Sequence, residues 1–254
     1  MGRIIAIANQ KGGVGKTTTA VNLACFLAAA ERRTLLVDVD PQANATSGIG
    51  IPAGNRPTTI YEVIIHRRDP HEAIQKTDLE YLKILPSDIR LVGAEIELVP
   101  MDHRESVLRR VLTPLKEEFD YLLLDCPPSL GLLTLNCLTA ADSVMIPIQC
   151  EYYALEGITQ LLGTVRLVQK HLNHNLEIEG VLLTMYDHRL NLSRQVRTDV
   201  QSYFQSKVFQ TVISRNVKLS EAPSFGKPII FYDIASRGAQ NYLALAQEII
   251  SHER

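Results

Sequence analysis

Residues 9–18 read Asn9-Gln10-Lys11-Gly12-Gly13-Val14-Gly15-Lys16-Thr17-Thr18. Upstream, residues 3–8 carry the apolar run Ile4-Ile5-Ala6-Ile7-Ala8 and read as a strand. Downstream, Ala20, Leu23, Ala24, Leu27 and Ala28 recur at helical spacing over residues 17–31. A glycine-rich turn between a strand and a helix, closed by Lys-Thr-Thr, is the context of a phosphate-binding loop. Gly12, Gly13 and Gly15 carry no Cβ, so the backbone can curl and aim N–H groups at phosphate oxygens. The helix that follows adds the positive end of its dipole. Within Gly12–Thr18, Lys16 supplies a point charge to the β- and γ-phosphates, the Thr17 hydroxyl suits Mg²⁺, and Thr18 is placed for the α-phosphate. ATP and Mg²⁺ are the expected ligands.

Working outward, short apolar runs alternate with helical patterns. Further strands are expected over residues 34–39, 81–85, 121–124, 143–148, 176–184 and 207–213, and helices over 155–171, 190–204 and 239–250. Leu35-Leu36-Val37 and Leu122-Leu123-Leu124 are apolar without alternation, as in strands buried on both faces. The expected fold is α/β: a doubly wound, mostly parallel sheet flanked by helices, in one domain over residues 1–254. Residues 48–57 read as a loop, not a linker.

Two strands end in carboxylates. Asp38 and Asp40 share a face at the end of residues 34–39, on the side where such folds bind ligand. Leu122-Leu123-Leu124-Asp125 runs into Cys126-Pro127-Pro128, so Asp125 is the expected Mg²⁺ ligand. No glutamate follows it. Asp38 is open between a structural role and support of Asp40.

The early Lys11 and the Lys-Gly-Gly-Val-Gly-Lys-Thr order resemble the deviant Walker A loop of the ParA/MinD/nitrogenase-iron-protein class. The likeness is strongest to the Soj/ParA partitioning ATPases, over residues 8–22, 35–50, 92–100, 125–140, 144–157, 180–186 and 215–228. It implies an ATP-dependent homodimer in which Lys11 crosses to the partner's nucleotide. Lys11, Lys16 and Asp40 would be catalytic, Asp40 orienting the attacking water. Thr17, Asp40 and Asp125 would serve the metal, and Arg215 and Asn216 the adenine. It also implies a ParB/Spo0J-type partner that stimulates hydrolysis, and non-specific binding of double-stranded DNA through Arg189 and Lys218. Two departures stand out: Ala43 where the family usually has Gly, and Ser214 where it usually has Pro.

Charge supports the DNA expectation. The total is −2, but residues 1–160 hold fifteen basic and twenty acidic groups and residues 161–254 eleven and eight. The alternative is a MinD-like membrane-associated division ATPase, which ends in a basic amphipathic helix. Residues 244–254 show no lysine-rich face. A metabolic P-loop ligase or reductase is a second alternative. The four cysteines form no CxxC and read as buried thiols. With no signal peptide and no apolar run of spanning length, a cytoplasmic, nucleoid-associated protein without membrane contact is expected.

Overall fold

The computed structural model describes residues 2–52, 58–151 and 156–252. Residues 53–57 of the expected loop, the expected helix start at Leu155 and the last two residues of the tail lie outside them. Seven strands, β1 (Arg3–Ile7), β2 (Thr34–Asp38), β3 (Gln75–Lys76), β4 (Leu82–Leu85), β5 (Tyr121–Asp125), β6 (Ser143–Gln149) and β7 (Glu177–Thr184), form one sheet in the order β3-β4-β2-β5-β1-β6-β7. Every pairing is parallel except β3 with β4. The short antiparallel β3 at the edge was not visible as a pattern. Its two residues are half-buried and exposed, so no apolar run marks it.

The helices are α1 (Lys16–Ala29), α2 (Asn44–Gly48), α3 (Ile60–Ile65), α4 (Leu91–Glu97), α5 (Val107–Leu115), α6 (Leu132–Ala140), α7 (Glu156–His171), α8 (Asn191–Phe204), α9 (Val217–Glu221), α10 (Ile229–Tyr232) and α11 (Arg237–Ser251). Strand alternation sends successive residues to opposite faces, and each face has its own core. Ile5, Ile7, Leu36 and Leu123 pack with α1 and α11. Ile4, Ala6, Leu35, Leu122 and Leu124 pack on the other side with helices that include α5, α7 and α8. This two-sided burial is why the strands read as unbroken apolar runs. Each fully buried Leu or Ile contributes about 1.5–3 kcal/mol.

The expected strand over 207–213 is a correction. A short 3-10 turn covers Gln205–Lys207, and the chain then runs beside β7 with separated contacts only. Phe209 N donates to Val181 O at 3.0 Å and Ile213 N to Leu183 O at 2.8 Å. Between them, Gln210 N and Thr211 N turn to the Glu248 carboxylate of α11, at 2.7 and 3.0 Å. The carboxylate takes the donors that a ladder would have used.

All four cysteines are buried and free. Burial pushes the Cys25 and Cys137 thiols up, and Cys150 up to about 12, so these three are not poised as thiolates. Among the described residues no helix is long and apolar enough to cross a membrane. The apolar side of α11, with Tyr242, Leu245, Ala246 and Ile249, is spent on the core.

Candidate functional site

The loop between β1 and α1 sits at the carboxyl end of β1, an interior strand flanked by β5 and β6. Gly13 has φ +74° and Gly15, which caps α1, has φ +88°. These left-handed conformations favour glycine at both positions. Gly12 has an ordinary φ and open space where a Cβ would point, so the backbone conformation does not demand its glycine. The loop is pinned from outside: Thr184 Oγ1 donates to Val14 O at 2.8 Å, and Asn9 Nδ2 donates to Pro147 O at 2.7 Å. Neither clamp had a sequence signal, because each joins residues more than a hundred positions apart.

Lys16 is buried and its ammonium donates to Lys11 O at 3.2 Å. Burial lowers its pKa, and the charges of Asp125, Cys126 and Asp40 work against that shift. Asp125 stands opposite Asp38 in the β2–β5 register, and both are fully buried. Asp38 is satisfied: its carboxylate accepts from Asp40 N at 3.1 Å, Thr46 N at 2.8 Å and Thr46 Oγ1 at 2.7 Å. Burial still pushes it up to about 6. Asp38 thus anchors the Asp40 loop, so its structural bonds and its support of Asp40 are the same contacts.

Asp125 is the opposite case. Neither of its carboxylate oxygens makes a hydrogen bond of good geometry, although the Thr17 hydroxyl lies close enough to favour the charged form. Burial, then the charge of Asp38, raise its pKa well above the carboxylate range, and the neighbouring Thr17 hydroxyl and Lys16 ammonium only partly offset this. An orphaned buried carboxylate beside a threonine hydroxyl and a lysine fits a site for Mg²⁺ and phosphate. No cluster of three or more His, Cys, Asp or Glu able to hold a metal occurs among the described residues. Mg²⁺ does not need one, since it is usually held by one or two carboxylates plus substrate phosphates.

Asp40 is almost fully buried and accepts from Gln42 N at 2.9 Å, tightening the turn into α2. The departing residue Ala43 caps α2 with φ +54°. A left-handed alanine costs about 1–2 kcal/mol. Ala43→Gly is therefore expected to raise thermal stability by about 1 kcal/mol, read as a Tm increase of about 2–4 °C; an unchanged or lower Tm would contradict it.

Arg215 and Asn216 line a cavity of about 410 Å³ together with Gly15, Thr18, Ile213 and Pro223, adjoining the loop. Asn216 also caps α9, accepting from Lys218 N at 2.8 Å. Ser214, the second departure, uses its N–H on Asn241 Oδ1 at 3.0 Å. A proline there would have no such donor. Beyond this cavity, a Cβ on Gly50 would lie 2.9 Å from Gly226 O, so the chain after α2 meets the chain after α9 backbone to backbone.

The remaining expected residues are placed but paired. Lys11 Nζ lies 3.4 Å from Glu151 Oε2 in a half-exposed ion pair. Arg189 is exposed and grips Asp187, at 3.0 and 2.7 Å. Lys218 Nζ is 3.0 Å from Glu221 and 5.6 Å from the Tyr232 ring centre. Tyr186 bridges Ser214, so the segments leading to Arg189 and Lys218 leave the sheet side by side.

An AAA domain family model matches residues 2–178. The chain is 60% identical to the sporulation initiation inhibitor protein Soj of Bacillus subtilis, over 99% of this chain and 100% of that protein. It is 58% identical to the chromosome partitioning protein ParA of Myxococcus xanthus, over 100% and 89%. A crystal structure of cobyrinic acid a,c-diamide synthase from Mycobacterium smegmatis with bound ADP and magnesium superposes with a TM-score of 0.87. The sequences are 39% identical, over 99% of this chain and 95% of that one. The higher identities run end to end through proteins named for partitioning, and with the phosphate loop and its two strand-end carboxylates they place the chain in the ParA/Soj family of chromosome-partitioning ATPases.

Proposed function

We propose that this chain is a DNA-partitioning switch driven by ATP: the ATP-bound homodimer holds nucleoid DNA, and hydrolysis to ADP and phosphate releases it. The observation that carries the reading is that a buried Lys16 ammonium and an unsatisfied buried Asp125 carboxylate feel each other's charge beside one glycine-built loop without forming an ion pair. Two such groups are costly in an empty chain and become satisfied when a metal–nucleotide complex arrives.

In this reading the backbone of Gly12–Thr18 and Lys16 hold the phosphates, and Arg215 and Asn216 hold the base. Thr17 and Asp125, with Asp40 nearby, would hold Mg²⁺, which supplies charge neutralisation on the phosphates. Asp40 orients the attacking water, and the Asp38–Thr46 bonds hold the Asp40 loop in place. Lys11 leaves Glu151 and reaches the partner subunit's nucleotide. The hydrolysing site is complete only in the dimer, which suits a timed switch, and a ParB/Spo0J-type centromere-binding protein is the proposed stimulator. The protein acts as one domain in the cytoplasm, on the nucleoid, without membrane contact.

DNA is held by phosphate contacts from Arg189 and Lys218, doubled by dimerisation. Each cation must exchange its carboxylate for a phosphate. Arg189→Glu combined with Lys218→Glu is expected to weaken ATP-dependent DNA co-sedimentation at least about tenfold and flatten its salt dependence. ATP turnover without DNA should stay near wild type. Unchanged DNA retention by the double variant would remove this surface from the proposal.

A further inference from the structure

A cavity of about 510 Å³ lies between α3 and α5 and shares no residue with the nucleotide loops or with the segments that carry Arg189 and Lys218. Its size is that of a small-molecule site, for which roughly 300–1,000 Å³ is usual. Its floor is apolar: Val63 and Ile64 of α3 and Val107 and Leu115 of α5 line it and are buried. Its rim is basic, with Arg67, Arg68 and Arg110 all exposed. Arg68 has a loose ion pair with Glu72 at 3.6 Å. Arg67 and Arg110 make no ion pair and no side-chain hydrogen bond among the described residues. His71, also on the rim, pairs with Glu118 at 3.2 Å. Of the two acids there, Asp69 accepts from His71 N at 2.9 Å, and Asp102 is exposed. The backbone gives a second sign. Arg67 follows the last turn of α3 with φ +53°, and Arg68 N then donates back to Glu62 O at 3.2 Å. That left-handed position after a helix is usually held by glycine. What the arginine adds at residue 67 is therefore its side chain, not the turn.

We infer that this cavity binds a small amphiphilic anion, its alkyl chain on the apolar floor and its carboxylate or phosphate head held by Arg67 and Arg110. Two unpartnered guanidiniums select an anion, and their planar donor forks match a carboxylate or a phosphate. Among the described residues the lining holds no Phe, Tyr or Trp, so the branched aliphatic floor suits a flexible chain better than a stacked ring. A bare inorganic anion would use the arginines and leave the floor in water. A neutral chain would cover the floor and leave both cations unpaired. Asp102 works against the head group, but Asp69 already serves the His71 backbone, and three arginines outnumber the one free acid. The site does not rest on the proposed ATPase cycle.

The test is isothermal titration calorimetry on the full chain, in excess Mg²⁺–ADP so that the phosphate loop does not compete for the head group. The probes are decanoate, decyl phosphate, decyltrimethylammonium and inorganic phosphate, the amphiphiles kept below their micelle concentrations. Decanoate or decyl phosphate should bind one per chain, and the tighter of the two assigns the head as carboxylate or phosphate. Decyltrimethylammonium, which lacks the anion, and inorganic phosphate, which lacks the chain, should each bind at least about tenfold more weakly. Arg67→Gly and Arg110→Gln should each lose at least about fivefold in affinity for the better anion. Arg67→Gly should melt at or above the wild-type temperature, which separates a lost contact from a damaged fold. Should it melt lower, Arg110→Gln, exposed on α5, decides alone. The proposal is overturned by no saturable binding of either anion, by equal binding of the cationic amphiphile or of inorganic phosphate, or by anion binding unchanged in both variants. A chain that binds no ADP counts against the proposed nucleotide site and leaves the decanoate comparison intact.

Discussion

Asp125→Asn should make the nucleotide-free chain more stable and the enzyme almost inactive. The wild-type carboxylate is fully buried, stands beside Asp38 in the sheet register, and has no hydrogen bond of good geometry on either oxygen, with only the Thr17 hydroxyl close enough to offset part of the burial. In the absence of ligand the chain must either keep that charge in the interior or take up a proton. The amide is nearly the same shape and carries no charge, so the expected gain is about 1–3 kcal/mol. Phosphate release should fall by about 10²–10³, the usual loss when one preorganised charge at a reacting phosphoryl group is removed. Thermal denaturation without nucleotide and a steady-state phosphate assay read the two effects. An Asn variant less stable than wild type would show that the carboxylate is satisfied in the free chain after all.

The same pair sets a pH signature. Asp38 and Asp125 bind their protons more tightly in the folded chain than in the unfolded one, so folding takes up protons between about pH 4 and their raised values. Stability of the free chain should therefore fall as pH rises from about 4 through the Asp38 value of about 6. Asp120 and Asp187 are held low, first of all by hydrogen bonds from Arg33 and Arg189. They act in the opposite sense, and their contribution is lost only below about pH 4. Bound Mg²⁺ and nucleotide favour the charged carboxylates and should flatten the profile, with the largest rise in Tm on adding ligand near pH 7.5.

Lys11→Ala should leave the fold alone and abolish the dimer. The Lys11–Glu151 pair is half-exposed, and such pairs are worth about 0–1 kcal/mol, so Tm should barely move. Each trans contact to phosphate is a charge-assisted bond of about 1.5–3 kcal/mol. Two per dimer amount to about 10²–10⁴ in the association constant. Sedimentation velocity with a non-hydrolysable ATP analogue measures it. Glu151→Gln frees the lysine in both subunits and should strengthen the dimer by at most about thirtyfold. A Lys11→Ala chain that dimerises as wild type does would remove the crossing lysine from the mechanism.

Much of this was legible from local pattern. The loop at residues 9–18, the strand ends at Asp38, Asp40 and Asp125, and the stripes of α1, α7 and α8 follow from spacing and residue type alone. What stayed hidden depends on contacts between distant parts of the chain. The 207–213 run has strand-like composition, and only the Glu248 carboxylate of α11 diverts its donors. Thr184 and Asn9 look like ordinary polar residues until β7 carries Thr184 to Val14 and β6 carries Pro147 to Asn9. The spacing of Gly12, Gly13 and Gly15 suggested one shared reason for all three, and the dihedral angles give it to two.

The contact between Gly50 and Gly226 adds one more consequence. It joins the segment that follows the Asp40 loop to the segment that follows Lys218, and no side chain takes part in it. A joint made of main chain alone transmits position, not chemistry. In the proposed cycle, where Lys218 holds DNA, surface residues on either segment can be exchanged to suit a different DNA or a different stimulator while this link keeps its length. Its weak point is correspondingly narrow: a single methyl group at residue 50 would meet a carbonyl oxygen and lengthen the linkage, slackening the drive without touching the engine or the load.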